Sequence, residues 1–430
     1  MYKKTRLLAF IFLSGVSLAT AQTENSPFSR YGLGTPVPFQ NIINRGMGGF
    51  SAAYGDYQSV NFSNPASYSR LKATVLDIGL EVNTSSLKAI DPPRKFSSSS
   101  PNISYVTIGI PLSRKRDWGL AFGLRPMTRV SYQIERRQFL NTGTLMDSVQ
   151  TLFQGDGGSQ QVFAGTGFGF KNLRVGINVG YLFGSKNVRN AQQLLNDSVL
   201  YYQSARTTKT IYGGALINAG LQYTMKLKKT TRLHIGAFGN LQQTLNAHQD
   251  VLSETFIPQE NGPVQVDSVH AEKGTAGKII YPASFGFGLM LDKESKWMLG
   301  ADFTQTNWLD YRFYGEKDFL QNSWMVHVGG QIIPNAFNAK SYWNRVAYRA
   351  GFNLGSDYVN VDGERPSYSV SFGMGLPMRP PAYTKQFAVI NLTLEFGKRG
   401  DKTNTIRENF FALALGLNLS DIWFVKRKYY

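Results

Sequence analysis

The residues that could carry out chemistry are few and badly spaced for it. The chain has four histidines, His234, His248, His270 and His327, and no cysteine. A zinc site draws on Cys and His sets, or on two histidines one helical turn apart, and no pair here has that spacing. HExxH, the GxSxG nucleophile elbow and the P-loop are all absent. Gly165, Gly167 and Gly169 alternate along a strand instead of opening a helix, so they read as small residues on one face, not as a phosphate cradle. A lipid-acting hydrolase could bring a serine to His234 or His327 across strands, but no local motif supports one. The sequence therefore predicts a non-enzyme with no metal and no cofactor. The lack of cysteine also excludes disulfides and an N-terminal lipid-modified thiol.

What the sequence does carry is polar residues set at every second position against apolar ones. In Leu173 to Phe183, Leu173, Val175, Ile177, Val179, Tyr181 and Phe183 share one strand face, and Arg174, Gly176, Asn178 and Gly180 share the other. Phe411 to Leu419 repeats the pattern with Ala412, Ala414, Gly416 and Asn418 opposed to the large side chains. A period of 2 over about ten residues is that of a tilted strand crossing a bilayer. Parity then assigns Asp77, Glu81, Arg125, Arg174, Asn178, Asp302, Arg349, Asn353, Asn391 and Glu395 to an interior face. Their mixed signs suit internal salt bridges as readily as a conduction path.

Fourteen such segments are expected, at 72–86, 101–111, 118–133, 158–171, 173–184, 209–227, 231–247, 279–291, 296–311, 321–333, 343–355, 366–377, 386–398 and 407–419. Short connections alternate with longer ones at 87–100, 134–157, 185–208 and 248–278, as periplasmic turns alternate with outer loops in outer-membrane barrels. In hydrocarbon an unpaired backbone group costs several kcal/mol, so a spanning sheet must close on itself. No fixed repeat supports a propeller. The fold class expected is all-β: a transmembrane antiparallel β-barrel of about 14 strands with an N-terminal hatch or plug.

Composition agrees. Aromatics make up 13% of the 430 residues and mean hydropathy is only −0.24. Beyond the N-terminus no apolar run reaches the 18 residues of a helical span. Residues 1–21 read as a signal peptide: Lys3, Lys4 and Arg6, an apolar stretch, then Ala19-Thr20-Ala21. Residues 22–70 do not alternate, yet they carry Phe28, Tyr31, Phe39, Ile42, Ile43, Met47 and Phe50, which need burial; a hatch inside the barrel would supply it. The barrel is assigned to 71–420, and 421–430 is a basic, aromatic tail. The net charge of +18 lies in short turns such as Arg114-Lys115-Arg116, which points to anionic lipid headgroups rather than nucleic acid.

Asn64-Pro65-Ala66 closes the N-terminal segment, preceded by Arg45-Gly46-Met47-Gly48-Gly49 and by Ala52-Ala53. This order, ahead of fourteen strands, resembles the FadL-like family of outer-membrane transporters for long-chain fatty acids and other hydrophobic compounds. The Ser26 to Gly34 opening and the C-terminus resemble the Bacteroidota branch. The resemblance implies a hatch carrying Asn64, Pro65 and Ala66, a Gram-negative outer-membrane location, outer-membrane lipid around the wall, and passive transport of a hydrophobic ligand. Physically, Pro65 fixes φ, Asn64 can bond the local backbone, and Ala66 allows close approach. Phe28, Tyr31 and Phe39 are the candidate pocket residues; Arg125, Arg174, Asn178 and Arg349 are the candidate polar residues of the lumen. A second reading is a barrel partner in outer-membrane protein export or surface assembly, similar to type IX secretion, binding other outer-membrane or secreted proteins through its long loops.

Overall fold

The computed structural model describes residues 25–90, 93–113, 115–141, 146–195, 202–257, 264–293, 296–335, 341–378 and 386–421. The expected signal peptide, and the expected tail beyond Asp421, lie outside the described residues.

One antiparallel sheet closes on itself. Its strands are β2 (Thr74–Ala89), β3 (Arg94–Ser113), β4 (Trp118–Asn141), β5 (Met146–Phe170), β6 (Leu173–Leu194), β7 (Gln203–Lys226), β8 (Thr231–Asn240), β9 (Gln243–Ile257), β10 (Val264–Tyr281), β11 (Ser284–Lys293), β12 (Trp297–Thr306), β13 (Arg312–Phe313), β14 (Ser323–Ile332), β15 (Ala347–Ser356), β16 (Pro366–Pro377), β17 (Ala388–Arg399) and β18 (Ile406–Asp421). A two-residue β1 (Thr35–Pro36) precedes them. The pairs β8/β9, β10/β11 and β12/β13 are each one interrupted stave, so the wall has fourteen. Closure is made by β18 on β2, from Ile406 opposite Ala89 to Asp421 opposite Thr74.

The outer face is apolar because alternation puts it there. Val175, Ile177, Val179 and Tyr181 are all more than 40% exposed, a continuous surface that lipid would cover. On the inner face Asp77, Glu81, Asn178, Asp302 and Asn391 are buried.

The connections expected at 87–100, 134–157, 185–208 and 248–278 are largely strand: β4 to β7 run 22 to 25 residues each. Where a sheet rises above the bilayer, both faces meet polar surroundings, so the period-2 signal vanishes while the ladder continues. The bounds of the individual staves shift accordingly.

Residues 25–73 fold inside the wall. A 3-10 turn (Pro27–Arg30), a short α1 (Ile42–Arg45) and a second 3-10 turn (Pro65–Arg70) are joined by irregular chain. Asn41 caps α1 by accepting from the Asn44 N–H at 2.9 Å. Leu33, Ile42, Met47, Phe50, Ala52 and Val60 are wholly buried. The glycines on the inner face make room for this backbone. A Cβ at Gly236 would stand 2.0 Å from the Ala52 carbonyl oxygen, and one at Gly351 would stand 2.0 Å from the Gly48 nitrogen.

The wall is irregular at one height. β3 pairs β4 only as far as Val106 and Leu124. β4 bulges at Met127, and beyond it β1 takes the free edge, with Thr35 opposite Arg129. Gly157 and Gly158 in β5 adopt φ of +126° and +136°, conformations open to glycine. Farther round come the breaks between β8 and β9 and between β10 and β11.

Candidate ligand cavity

Between the N-terminal segment and the wall lies a cavity of about 290 Å³, lined by Phe28, Phe39, Phe62, Phe163, Phe238, Tyr281, Phe285 and Trp308, with Met127 and Leu216. The N-terminal segment supplies three of the rings, and β5, β8, β10 and β11 supply Phe163, Phe238, Tyr281 and Phe285. The rings brace one another: Phe39 stacks on Phe238 at 6.2 Å and meets Phe62 edge-on at 6.3 Å, and Trp308 packs on Tyr358 at 5.2 Å. Such contacts favour a single arrangement of the rings.

Arg125 is the polar centre of the cavity. It is buried, and its Nε and Nη2 both donate to Gln161 Oε1, at 3.0 and 2.8 Å. Its guanidinium lies 3.8 Å from the Phe39 ring centroid. Among the described residues no carboxylate pairs with it. Asn178, Asn218 and Asn240 add amides to the lining. Toward the mouth, Arg399 pairs with Glu408 at 3.3 Å, and Arg365 lies 3.4 Å over the Phe28 ring. Tyr358, in the connection after β15, donates to the Gly34 carbonyl at 3.1 Å. Burial pushes its phenol well above the ordinary value, so it stays a neutral donor.

Of the sequence candidates, Phe28, Phe39, Arg125 and Asn178 line this cavity. Tyr31 does not; it packs edge-on to Phe319 at 6.1 Å. Arg174 donates to Thr224 at 3.1 Å, and Arg349 bonds Gln331 and Asn391, each at 2.7 Å, so both sit apart from it. Parity alone did not single out Phe163 or Phe238. The available signal was a ring on a strand face otherwise filled by glycine, amide and charge.

The remaining inward polar groups hold the N-terminal segment. Arg45 bonds Glu81 and, at 3.3 Å, Glu395, while Arg129 reaches Glu81 at 2.7 Å. Asp302 accepts from the Ser51 and Ala52 N–H groups. Asn64 Oδ1 accepts from the Ala66 N–H at 3.1 Å, and its Nδ2 donates to the carbonyls of Ala52 at 2.6 Å and of Leu221 and Ala237 at 3.2 Å. The Asn-Pro-Ala turn thus bonds the wall as well as itself. The two buried histidines serve the same end. His327 Nδ1 bonds the Gly48 carbonyl at 2.7 Å, and His234 Nδ1 accepts from Arg70 at 2.8 Å while Nε2 meets Asp292.

Solved structures share this architecture at low identity. The toluene transporter TodX of P. putida superposes with a TM-score of 0.56 at 17% identity, covering 90% of this chain and 99% of its own. The toluene transporter TbuX of Ralstonia pickettii gives 0.53 at 13%, with 88% and 98% covered. A Pseudomonas aeruginosa FadL homologue gives 0.52 at 12%, with 90% and 98% covered. The fold is therefore that of the FadL-type hydrophobic-compound channels. No protein of curated function matches the sequence. A family model described as BamG matches residues 1–430, and with the match running the whole length of this plugged barrel, the chain belongs to the BamG family.

Proposed function

We propose that the protein is a passive outer-membrane channel for hydrophobic small molecules, with residues 22–70 as its hatch. The observation that carries this reading is the aromatic cavity of about 290 Å³ between the N-terminal segment and the wall, inside a barrel with an apolar outer face. A dry cavity of roughly 150 Å³ is enough to hold benzene, so this one has room for a larger apolar solute. Its structural relatives are named as channels for toluene and other monoaromatic hydrocarbons. Arg125 adds a preference. A buried cation that no carboxylate among the described residues pairs with favours a solute carrying one, such as a long-chain fatty acid, because a charge-assisted bond there is worth about 1.5–3 kcal/mol.

The hatch is tied to the wall through Arg45, Ser51-Ala52, Asn64 and Arg70. Lifting it would break all of these, two of them buried charge clusters. Passage through the wall costs less, and it spares the solute the roughly 0.8 kcal/mol per CH₂ of meeting water. The test is uptake of labelled dodecanoate into vesicles with lipopolysaccharide in the outer leaflet. Protein-containing vesicles should fill faster than empty ones; equal rates would remove the proposal.

One observation favours the second reading, a partner in protein export or surface assembly. Strands β4 to β7 have 22 to 25 residues where about 9–11 cross a bilayer, so the wall rises far above the membrane, with exposed Phe139, Tyr202 and Val269. Cross-linking in native membranes separates the readings: a stable protein adduct on these strands supports the partner role.

A further inference from the structure

Arg174 stands apart from the aromatic cavity, at the end of the barrel where the short turns lie. It is the second residue of β6, just after the Lys171-Asn172 turn. Thr224 lies near the end of β7, Arg232 and His234 open β8, and Asp292 is near the end of β11, all at this same end. Arg70, the last residue of the 3-10 turn Pro65–Arg70, brings the N-terminal segment to this point. Its Nη2 donates to Thr224 Oγ1 at 3.3 Å, and Arg174 Nη1 donates to the same oxygen at 3.1 Å. Two guanidiniums from different elements thus meet on one hydroxyl.

The charges at this point are poorly matched. The acceptors of Arg70 are neutral: Thr224, His234 Nδ1 at 2.8 Å and the Gly55 carbonyl at 3.4 Å. Among the described residues no carboxylate pairs with Arg70. Asp117 lies 3.9 Å from Arg174 but bonds Lys72 at 2.7 Å. Asp292 is taken up by His234 Nε2 and by Arg232 at 3.4 Å. The Nε atoms of Arg70 and Arg174 are buried and have no hydrogen-bond partner. Guanidiniums that share one oxygen repel each other, and a buried charge without a counter-ion is costly. An anion would relieve both. The group is open to solvent, since the Arg174, Asp117 and Arg232 side chains are 16%, 34% and 35% exposed. Unfilled N–H groups on two guanidiniums suit an oxyanion with several acceptor oxygens, and phosphate is the common one that arginine recognises.

We propose that Arg70, Arg174 and Thr224 form an anion site at the short-turn mouth of the barrel, which takes a phosphate group and so ties the end of the N-terminal segment to β6 and β7. The site is separate from the aromatic cavity and does not depend on the transport reading. Free phosphate and a phospholipid headgroup share this chemistry, and the test separates them. The full chain in detergent is titrated with inorganic phosphate at constant ionic strength. Binding is read as a saturable rise in unfolding temperature, because a ligand held only by the folded state stabilises it. Arg174→Gln should weaken binding about tenfold. Thr224→Val, which removes the shared hydroxyl at similar volume, should weaken it about fivefold; it decides the matter if Arg174→Gln does not fold. Lys228→Gln, on the turn between β7 and β8, should leave binding within about twofold and so excludes a general effect of basic charge. If free phosphate has no effect, native mass spectrometry reads the other source: a phospholipid retained by the parent and lost from the folded variant assigns the site to a headgroup. Binding of neither, or binding within twofold of the parent in the folded variants, would overturn the site.

Discussion

Arg125 bears most directly on selectivity. Its Gln161 partner is neutral and the Phe39 and Phe62 rings lie beside it, so a solute carboxylate would complete its pairing. Arg125→Leu should weaken binding of dodecanoate about tenfold, the equivalent of about 1.4 kcal/mol, and leave toluene within about twofold, as read by competition with a fluorescent probe. Glu81 is the structural counterpart, shared between Arg45 and Arg129. Glu81→Leu leaves the buried Arg45 with Glu395 alone and the half-buried Arg129 without its carboxylate, and should cost about 3 kcal/mol, seen as a lower unfolding temperature. Alternation told which residues face inward, because parity is a local property. It could not tell what they meet: Arg45 and Glu395, or Asn64 and Ala237, come together only when the segment folds into the closed wall.

At the scale of elements, wall and N-terminal segment fit because the inner face is small where that segment runs. Gly236→Val would push a side chain into the Ala52 carbonyl without disturbing the outer face. The expected result is a correctly inserted barrel whose N-terminal segment is displaced, giving steady conductance in planar bilayers where the parent gives none. The count of staves was legible from period 2, and the Asn-Pro-Ala turn from its residue types. The height of β4 to β7 was not, since upper strands without a lipid face lose the alternation. Nor were the breaks at Leu241 and Pro282: a proline alone marks a ladder fault, but only the pairing shows two faults face to face.

For the whole molecule, closure leaves the lower wall without an edge, and the cavity lies beside one irregular belt of the wall. The central claim is that a hydrophobic molecule occupies the aromatic cavity. Native mass spectrometry after equilibration with dodecanoate tests it most directly, with Leu216→Trp as the filled-cavity control. The account predicts one retained dodecanoate on the parent protein and none on Leu216→Trp. Retention by both, or by neither, would contradict it.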